Sequence, residues 1–167
     1  DVILQFTNGG KLTATSGTVT IQGEIRAPAA LCFVESGGTI DISGAKAENF
    51  YFERYGITSG ADNTTSLQWL IDQRKGVNSD YATTIRLMYG TNYSHASQLN
   101  WDDIWGMRVI GAGGQGYRSG NGFTYTGSGS TSAHTVKSSF GCTWENLRFK
   151  YTSATFTGFL VECGHSG

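Results

Sequence analysis

The chain has 167 residues, enough for one domain with its own core, and 24 of them are glycine. Charged residues make up only 15% of the sequence, against about 25% in ordinary globular chains, and the formal net charge at pH 7 is −1. The sequence has no basic cluster to follow a phosphate backbone and no apolar run near the ~18 residues of a membrane helix. We therefore expect neither a nucleic-acid partner nor membrane insertion.

Apolar and hydroxyl-bearing residues alternate through the first part of the chain, from residue 2 to residue 42. Glycine-containing turn signals interrupt this alternation at residues 8–10, 16–17 and 36–38. Short strands at regular spacing, separated by glycine turns, are typical of all-β proteins. We predict that residues 1–50 form the leading strands of the fold, as a small N-terminal β collar.

One amphipathic helix is predicted over about Thr64 to Arg74. Its apolar face, with the i, i+3, i+4 spacing of a helix, is formed by Leu67, Leu70 and Ile71. Side-chain oxygens at residues 62–64 are placed to cap its first amides, and Gly76 is placed to end it. A single helix in a β-rich chain is expected to cover strand edges that would otherwise recruit another chain.

After Tyr93 the pattern indicates further short strands. Apolar residues with period-2 spacing recur in segments 104–110, 123–125, 142–151 and 159–162. Residues 116–139 are rich in Gly, Ser and Thr, and we predict a long loop there. No polar cap follows the last predicted strand, so we expect the sequence to be the N-terminal part of a longer chain.

Four segments of the chain carry a family resemblance: QFTNGGKLTATSGTVTIQGEIRAP (5–28), YFERYGI (51–57), DNTTSLQWLID (62–72) and IRLMYGTNY (85–93). Their order resembles that of the pectate-lyase-like right-handed parallel β-helix family, above all phage tailspike and receptor-binding proteins. The resemblance implies an all-β solenoid with a short N-terminal plug helix. Residues 51–167 would then hold the plug helix and the first rungs of the parallel β-helix.

The resemblance also implies a function. It points to a tailspike-like receptor-binding protein of the virion tail, a homotrimer that contacts other virion tail proteins and recognises a bacterial surface polysaccharide. Cleavage of that polysaccharide by hydrolase or lyase chemistry is a further implication, with catalytic residues expected outside this sequence. Two alternatives remain open: a secreted bacterial polysaccharide lyase or hydrolase of the same fold, and a non-enzymatic structural virion component.

Aromatic rings and one carboxylate are the candidate glycan contacts, because flat rings stack on sugar faces and carboxylates bind hydroxyl groups. The four residues predicted to bind the glycan are Trp101, Asp103, Trp105 and Tyr117. Asp102 and Asp103 are adjacent and would point to opposite faces of an extended strand, so we do not expect both to serve one substrate. Glu145 and Glu162 lie in successive predicted strands, and their carboxylates would stack if those strands align.

No cofactor or metal site is expected, since neither the histidines nor the cysteines have metal-ligand spacing. The histidines, predicted to lie in solvent-exposed loops, are His95, His134 and His165. The cysteines, predicted to be buried free thiols, are Cys32, Cys142 and Cys163.

Overall fold

A computed structural model describes residues 3–28, 30–46, 50–55, 61–75, 84–87, 92–111 and 121–164. Within them the chain forms sixteen short strands, one α-helix and one 3-10 helix. Every strand pair in these ranges is parallel. These findings confirm the all-β class predicted from the sequence.

The strands fall into two regions joined by a helical segment. The first region consists of β1 (Ile3–Gln5), β2 (Leu12–Ala14), β3 (Thr18–Thr20), β4 (Glu24–Arg26), β5 (Phe33–Glu35) and β6 (Thr39–Asp41). The joining segment contains β7 (Phe50–Tyr51), the 3-10 helix (Phe52–Tyr55) and α1 (Thr64–Gln73). The second region consists of β8 (Thr84–Arg86), β9 (Asn92–His95), β10 (Leu99–Asn100), β11 (Arg108–Ile110), β12 (Gly122–Tyr125), β13 (His134–Lys137), β14 (Thr143–Glu145), β15 (Arg148–Tyr151) and β16 (Val161–Gly164).

In both regions a strand pairs with the third strand after it. The first region has the pairs β1–β4, β2–β5 and β3–β6, and the spacing in sequence is the same in all three. Leu4 lies opposite Ile25, for example, and Val19 lies opposite Ile40. In the second region the strand orders are β8-β11-β14, β9-β12-β15 and β10-β13-β16, and β7 of the joining segment pairs directly with β8. Each set of three consecutive strands is therefore stacked on the next set.

Strand alternation sends one row of side chains into the core of the second region. Tyr93, Phe123 and Phe149 occupy equivalent positions in β9, β12 and β15. The Phe123 ring lies 5.7 Å from that of Phe149 and 5.9 Å from that of Phe52, measured between centroids. Parallel register thus places like residues over like residues and builds a ladder of rings.

Helix α1 begins at Thr64 as predicted and ends one residue before the predicted end, and the three residues of its apolar face are fully buried. The side-chain amide of Gln68 accepts from Asn100 N–H at 2.8 Å and donates to Asn100 C=O at 3.0 Å. At the other end of the helix, Gln73 Oε1 accepts from Ile42 N–H at 2.8 Å. The helix therefore satisfies backbone groups beside β6 and in β10 that would otherwise lie at strand edges.

Two buried arginines tie this segment to the first region. The guanidinium of Arg74 donates to the carbonyl oxygens of Ile42, at 3.0 Å, and Ser43, at 3.3 Å, and lies 4.6 Å from the Phe50 ring centroid. Arg54 donates to the carbonyl oxygens of Ala27 and Pro28. These side chains satisfy carbonyl groups that the strand ladders leave open.

The predicted capping oxygen is supplied by Asp62, whose Oδ1 accepts from Thr64 N–H at 3.0 Å, whereas the side chain of Asn63 makes no capping bond. The predicted loop over residues 116–139 is wrong, because this range contains β12 and β13. The Gly, Ser and Thr content of the range resembles a loop, but parallel ladders supply partners on both sides of β12 and β13. Gly76 lies outside the described residues.

Candidate functional site

Trp101 lies in the core, and its predicted role as a sugar-stacking ring is wrong. The residue is only 2% exposed, and its Nε1–H donates to His134 Nδ1 at 3.2 Å. Its ring centroid lies 5.2 Å from that of Trp144. The position follows Leu99 by two residues, which places both side chains on the inner face. The ring therefore has no free face for a ligand.

Trp105, by contrast, is 56% exposed and lies beside a second exposed ring, Phe140, which is 75% exposed. Their ring centroids are 6.3 Å apart, and the ring planes are inclined at 53°. The two backbones form a parallel bridge, and Gly106 N–H donates to Phe140 C=O at 2.8 Å. We call Trp105 and Phe140 the aromatic corner.

The geometry of the corner comes from a repeated aromatic-glycine pair. Gly106 follows Trp105, and Gly141 follows Phe140, with φ of 70° and 67° respectively. This left-handed conformation is readily available to glycine and turns each chain into the next strand, β11 or β14. Sequence reasoning missed Phe140, but the recurrence of an aromatic-glycine pair just before two predicted strands was a signal that could have found it.

Asp103 is exposed and lies two residues before Trp105 in the sequence. Its backbone has φ of 59°, and its N–H donates to Lys137 C=O at 3.0 Å. Asp102 and Asp103 therefore do not alternate along a regular strand. Tyr117 lies outside the described residues.

A row of charged side chains runs across the outer face of the β10-β13-β16 sheet beside the corner. Asp102 Oδ1 accepts from Lys137 N–H at 2.8 Å, and Lys137 Nζ lies 3.4 Å from Glu162 Oε1. Ser132 Oγ donates to Glu162 Oε2 at 2.6 Å. We call Asp102, Lys137 and Glu162 the charged row. The hydrogen bonds from Ser132 and Lys137 hold the pKa of Glu162 below its ordinary value, so its carboxylate is ionised at neutral pH.

The row and the corner are held together by the backbone. Asp102 precedes Trp105 by three residues, and Lys137 precedes Phe140 by three, in two segments that run parallel. Among these side chains Thr135 is buried, and its Oγ1 has no hydrogen-bond partner. The surface thus combines two exposed rings with carboxylate and ammonium groups.

Glu145 and Glu162 do not stack, and that expectation is wrong. Glu145 ends β14, which lies in a different sheet from β16 and Glu162. Its carboxylate is paired with Arg108 through bonds of 2.7 and 2.6 Å. The Arg108 guanidinium also lowers the pKa of Glu145. Triplets of strands place residues three strands apart over one another, and these two glutamates are only two strands apart.

His95 and His134 are buried in the core, against the prediction of exposed loops. Their ring centroids are 4.7 Å apart. His95 Nδ1 lies 2.8 Å from Ser97 O and therefore carries the proton, which leaves the buried Nε2 as an acceptor without a partner. Burial lowers the pKa of His95, and burial together with the neighbouring His95 holds the pKa of His134 well below its ordinary value. Both imidazoles are neutral at pH 7.

The cysteines differ in burial. Cys32 is buried as predicted, Cys142 is half-buried and Cys163 is exposed, which contradicts the prediction for that residue; all three are free thiols. In the ranges that the structure describes, no group of three or more His, Cys, Asp or Glu residues is arranged to hold a metal ion. His165 lies outside these ranges.

Comparison with known proteins found no matching family model and no significant match to a curated protein or a solved structure. No helix in the described part of the chain is long and apolar enough to cross a membrane.

Proposed function

We propose that the chain forms part of a right-handed parallel β-helix of the pectate-lyase-like, tailspike type. Three features support this: exclusively parallel pairing in the described ranges, strands that recur in sets of three, and a helix that covers strand edges between two regions. Each set of three strands would then form one turn of the solenoid. An experimental structure in which consecutive triplets of strands do not form successive turns would refute this fold.

We propose further that the protein recognises a bacterial surface polysaccharide through the aromatic corner and the charged row. The observation that carries this proposal is the exposure of two large adjacent rings, Trp105 and Phe140, in one built corner. Single exposed apolar residues are normal on protein surfaces, whereas clustered ones mark interaction sites. Two tilted rings give stacking platforms for two sugar units, and the charged row supplies hydrogen bonds to their hydroxyl groups.

The charges around the corner favour a glycan over a phosphate polymer. The Lys137 ammonium is paired with Glu162, and Asp102 and Asp103 add two carboxylates on the neighbouring segment, so a phosphate chain would meet net repulsion. Hydroxyl groups of a sugar can accept from an ammonium and donate to a carboxylate, and a mixed row suits both. This complementarity is what distinguishes a sugar surface from a bare apolar patch.

The corner is tested by retention of the complete protein on a panel of purified bacterial capsular and O-antigen polysaccharides. Trp105→Ala and Phe140→Ala should each weaken retention about tenfold, the equivalent of one lost ring contact of about 1.4 kcal/mol. The matched control is Phe159→Ala, because Phe159 is 68% exposed and precedes β16 rather than β11 or β14. Circular-dichroism spectra should be unchanged in all three variants. Wild-type retention by both corner variants would overturn the proposal.

The proposal also includes a homotrimer in the virion tail, in contact with other tail proteins. Trimerisation would present three corners at once and raise retention without new contacts. Light scattering coupled to size exclusion on the complete protein tests this assembly. A stable trimer supports the tail location, whereas a monomer favours a secreted enzyme of the same fold. Depolymerase activity enters the proposal only as an implication of the resemblance, and it is tested by release of reducing ends from a retained polysaccharide.

A further inference from the structure

A second concave surface lies between β5 and the first two turns of α1. It is a cleft of about 220 Å³, lined by Phe33, Glu35, Thr65, Ser66 and Trp69. None of these residues belongs to the aromatic corner or to the charged row. Drug-sized ligands occupy clefts of roughly 300–1,000 Å³, so this volume suits a smaller molecule.

The walls of the cleft combine a ring with hydroxyl groups. Thr65 and Trp69 are four residues apart on one helix and therefore share a face. The Trp69 side chain is half-buried and packs against the core, which fixes the indole, while Phe33 is buried beneath. The hydroxyl groups of Thr65 and Ser66 have no described hydrogen-bond partner. They can each donate to a ligand and accept from it.

One carboxylate sets the electrostatics of the cleft. Glu35 Oε1 accepts from Ile40 N–H at 2.6 Å, which anchors the carboxylate, and Oε2 has no described partner. The lining contains no Lys, Arg or His to balance this charge. An anionic ligand would therefore be repelled, while a neutral molecule with several hydroxyl groups could donate to the free oxygen.

We propose that this cleft binds one neutral sugar ring. The indole of Trp69 stacks on the apolar face of the ring, Glu35 accepts hydrogen bonds from its hydroxyl groups, and Thr65 and Ser66 bond to the remaining ones. This site goes beyond the polysaccharide surface at the aromatic corner, and either site can exist without the other. Together they give the protein two separate carbohydrate contacts on different elements.

The test is saturation-transfer NMR on the complete protein with four neutral sugars and one acidic counterpart. The neutral probes are glucose, galactose, rhamnose and N-acetylglucosamine, and the acidic probe is glucuronic acid. At least one neutral sugar should give a transfer signal, and glucuronate should bind at least tenfold more weakly than that sugar or give no signal. Absence of signal from all four neutral sugars would overturn the proposal.

Variants locate the bound sugar. Trp69→Ala removes the stacking ring, but it also removes packing against the core, so the more decisive variants are Thr65→Val and Glu35→Gln. Thr65→Val should weaken the neutral sugar about threefold to tenfold, since one hydroxyl contact is lost. Glu35→Gln should retain the neutral sugar and should reduce the discrimination against glucuronate. An unchanged ratio of neutral-sugar to glucuronate binding in Glu35→Gln would contradict the role of Glu35 and overturn the site.

Trp105→Ala serves as the matched control, because it alters the aromatic corner and leaves the cleft intact. Monosaccharide signals that survive Trp105→Ala and weaken in Thr65→Val support the cleft. Signals that disappear in Trp105→Ala and survive in Thr65→Val would place the monosaccharide at the corner and overturn the cleft. If Trp105→Ala loses polysaccharide retention but keeps its monosaccharide signals, the corner and the cleft are shown to bind independently.

Discussion

In the first region the buried interior is mainly aliphatic, with Ile25 and Ile40 as examples, whereas in the second region aromatic rings and two imidazoles are buried together with aliphatic side chains. The buried arginines against the first region, Arg54 and Arg74, donate to backbone carbonyl groups. The buried polar residues of the second region include two neutral histidines. Both regions stack parallel strands by the same rule, but they differ in their buried ionisable groups. Permanently charged guanidinium groups lie against the first region, whereas the second region contains imidazoles that can gain a proton.

The largest loss of stability is expected from a substitution in the second region, at Gly122, where two backbones approach closely. A Cβ added at Gly122 would lie 1.7 Å from the carbonyl oxygen of Arg148, so β12 and β15 would have to separate. We expect Gly122→Ala to cost more than about 3 kcal/mol or to prevent folding, because overpacking against backbone is not relieved by rotamer changes. Urea unfolding followed by circular dichroism measures the loss.

Gly164→Ala is the matched control for this substitution. A Cβ at Gly164 meets no atom within 4 Å, and its φ is not in the left-handed region. The control should unfold at nearly the wild-type urea concentration. A Gly122→Ala protein as stable as the Gly164→Ala protein would contradict the close stacking of β12 on β15.

The next largest loss of stability is expected when the contact between α1 and the first region is removed. Arg74→Met removes a buried guanidinium that donates to carbonyl groups of Ile42 and Ser43, and leaves those groups without their donor. The expected loss is about 3 kcal/mol, since hydrogen bonds from charged groups contribute about 1.5–3 kcal/mol each and part of the apolar stem is kept. The free energy of unfolding in urea is the measurement.

Arg26→Met tests whether burial causes the loss. Arg26 is exposed and bonds to Glu24 two residues away, so its removal should not change the unfolding midpoint beyond replicate error. Equal losses in the two variants would show that the buried contacts of Arg74 do not hold the helix in place.

A third prediction is that the stability of the second region depends on pH, whereas that of the first region does not. Both buried histidines have pKa values below that of an exposed imidazole, so below about pH 6.5 the unfolded chain binds protons that the folded chain does not. The contribution of these histidines to stability is therefore fully present well above pH 6.5 and is lost as the pH falls through 6.5 towards 5. The slope is at most about 1.4 kcal/mol per pH unit for each histidine.

Hydrogen exchange at pH 7 and pH 5 measures where this loss occurs. Exchange should increase first in β9 and β13, which carry the two histidines, while β4 and β6 keep their protection. His95→Phe should reduce the pH dependence, since its ring lies among aromatic neighbours such as Phe123 and Tyr125. An equal increase in exchange in both regions would contradict the comparison.

Part of the fold could be predicted from local sequence. Helix α1 could be predicted, because the i, i+3, i+4 spacing of Leu67, Leu70 and Ile71 is unambiguous over ten residues. The turns at residues 8–10 and 16–17 could as well, because Gly9 and Gly17 adopt the positive φ that favours glycine. These signals depend only on neighbours in sequence.

The candidate site depended on contacts that local sequence does not encode. Trp101 stands beside two aspartates and suggested a surface, but its inner position follows from the register of β10 with β13. The same register buries His134. Phe140 joins Trp105 only because two segments far apart in sequence run side by side. Which strand pairs with which was therefore the missing information.

The smallest effect is expected from removing an exposed ion pair, and this effect should be the same in both regions. Arg108 and Glu145 form an ion pair across β11 and β14, with side chains 49% and 39% exposed, and the Arg26–Glu24 pair of the first region is 57% and 40% exposed. Solvent and salt screen both pairs. Glu145→Gln and Glu24→Gln should each leave the urea midpoint nearly unchanged in 0.5 M NaCl. A clear loss for Glu145→Gln alone would mean that the second region also depends on surface charge, and that its interior is not what distinguishes it.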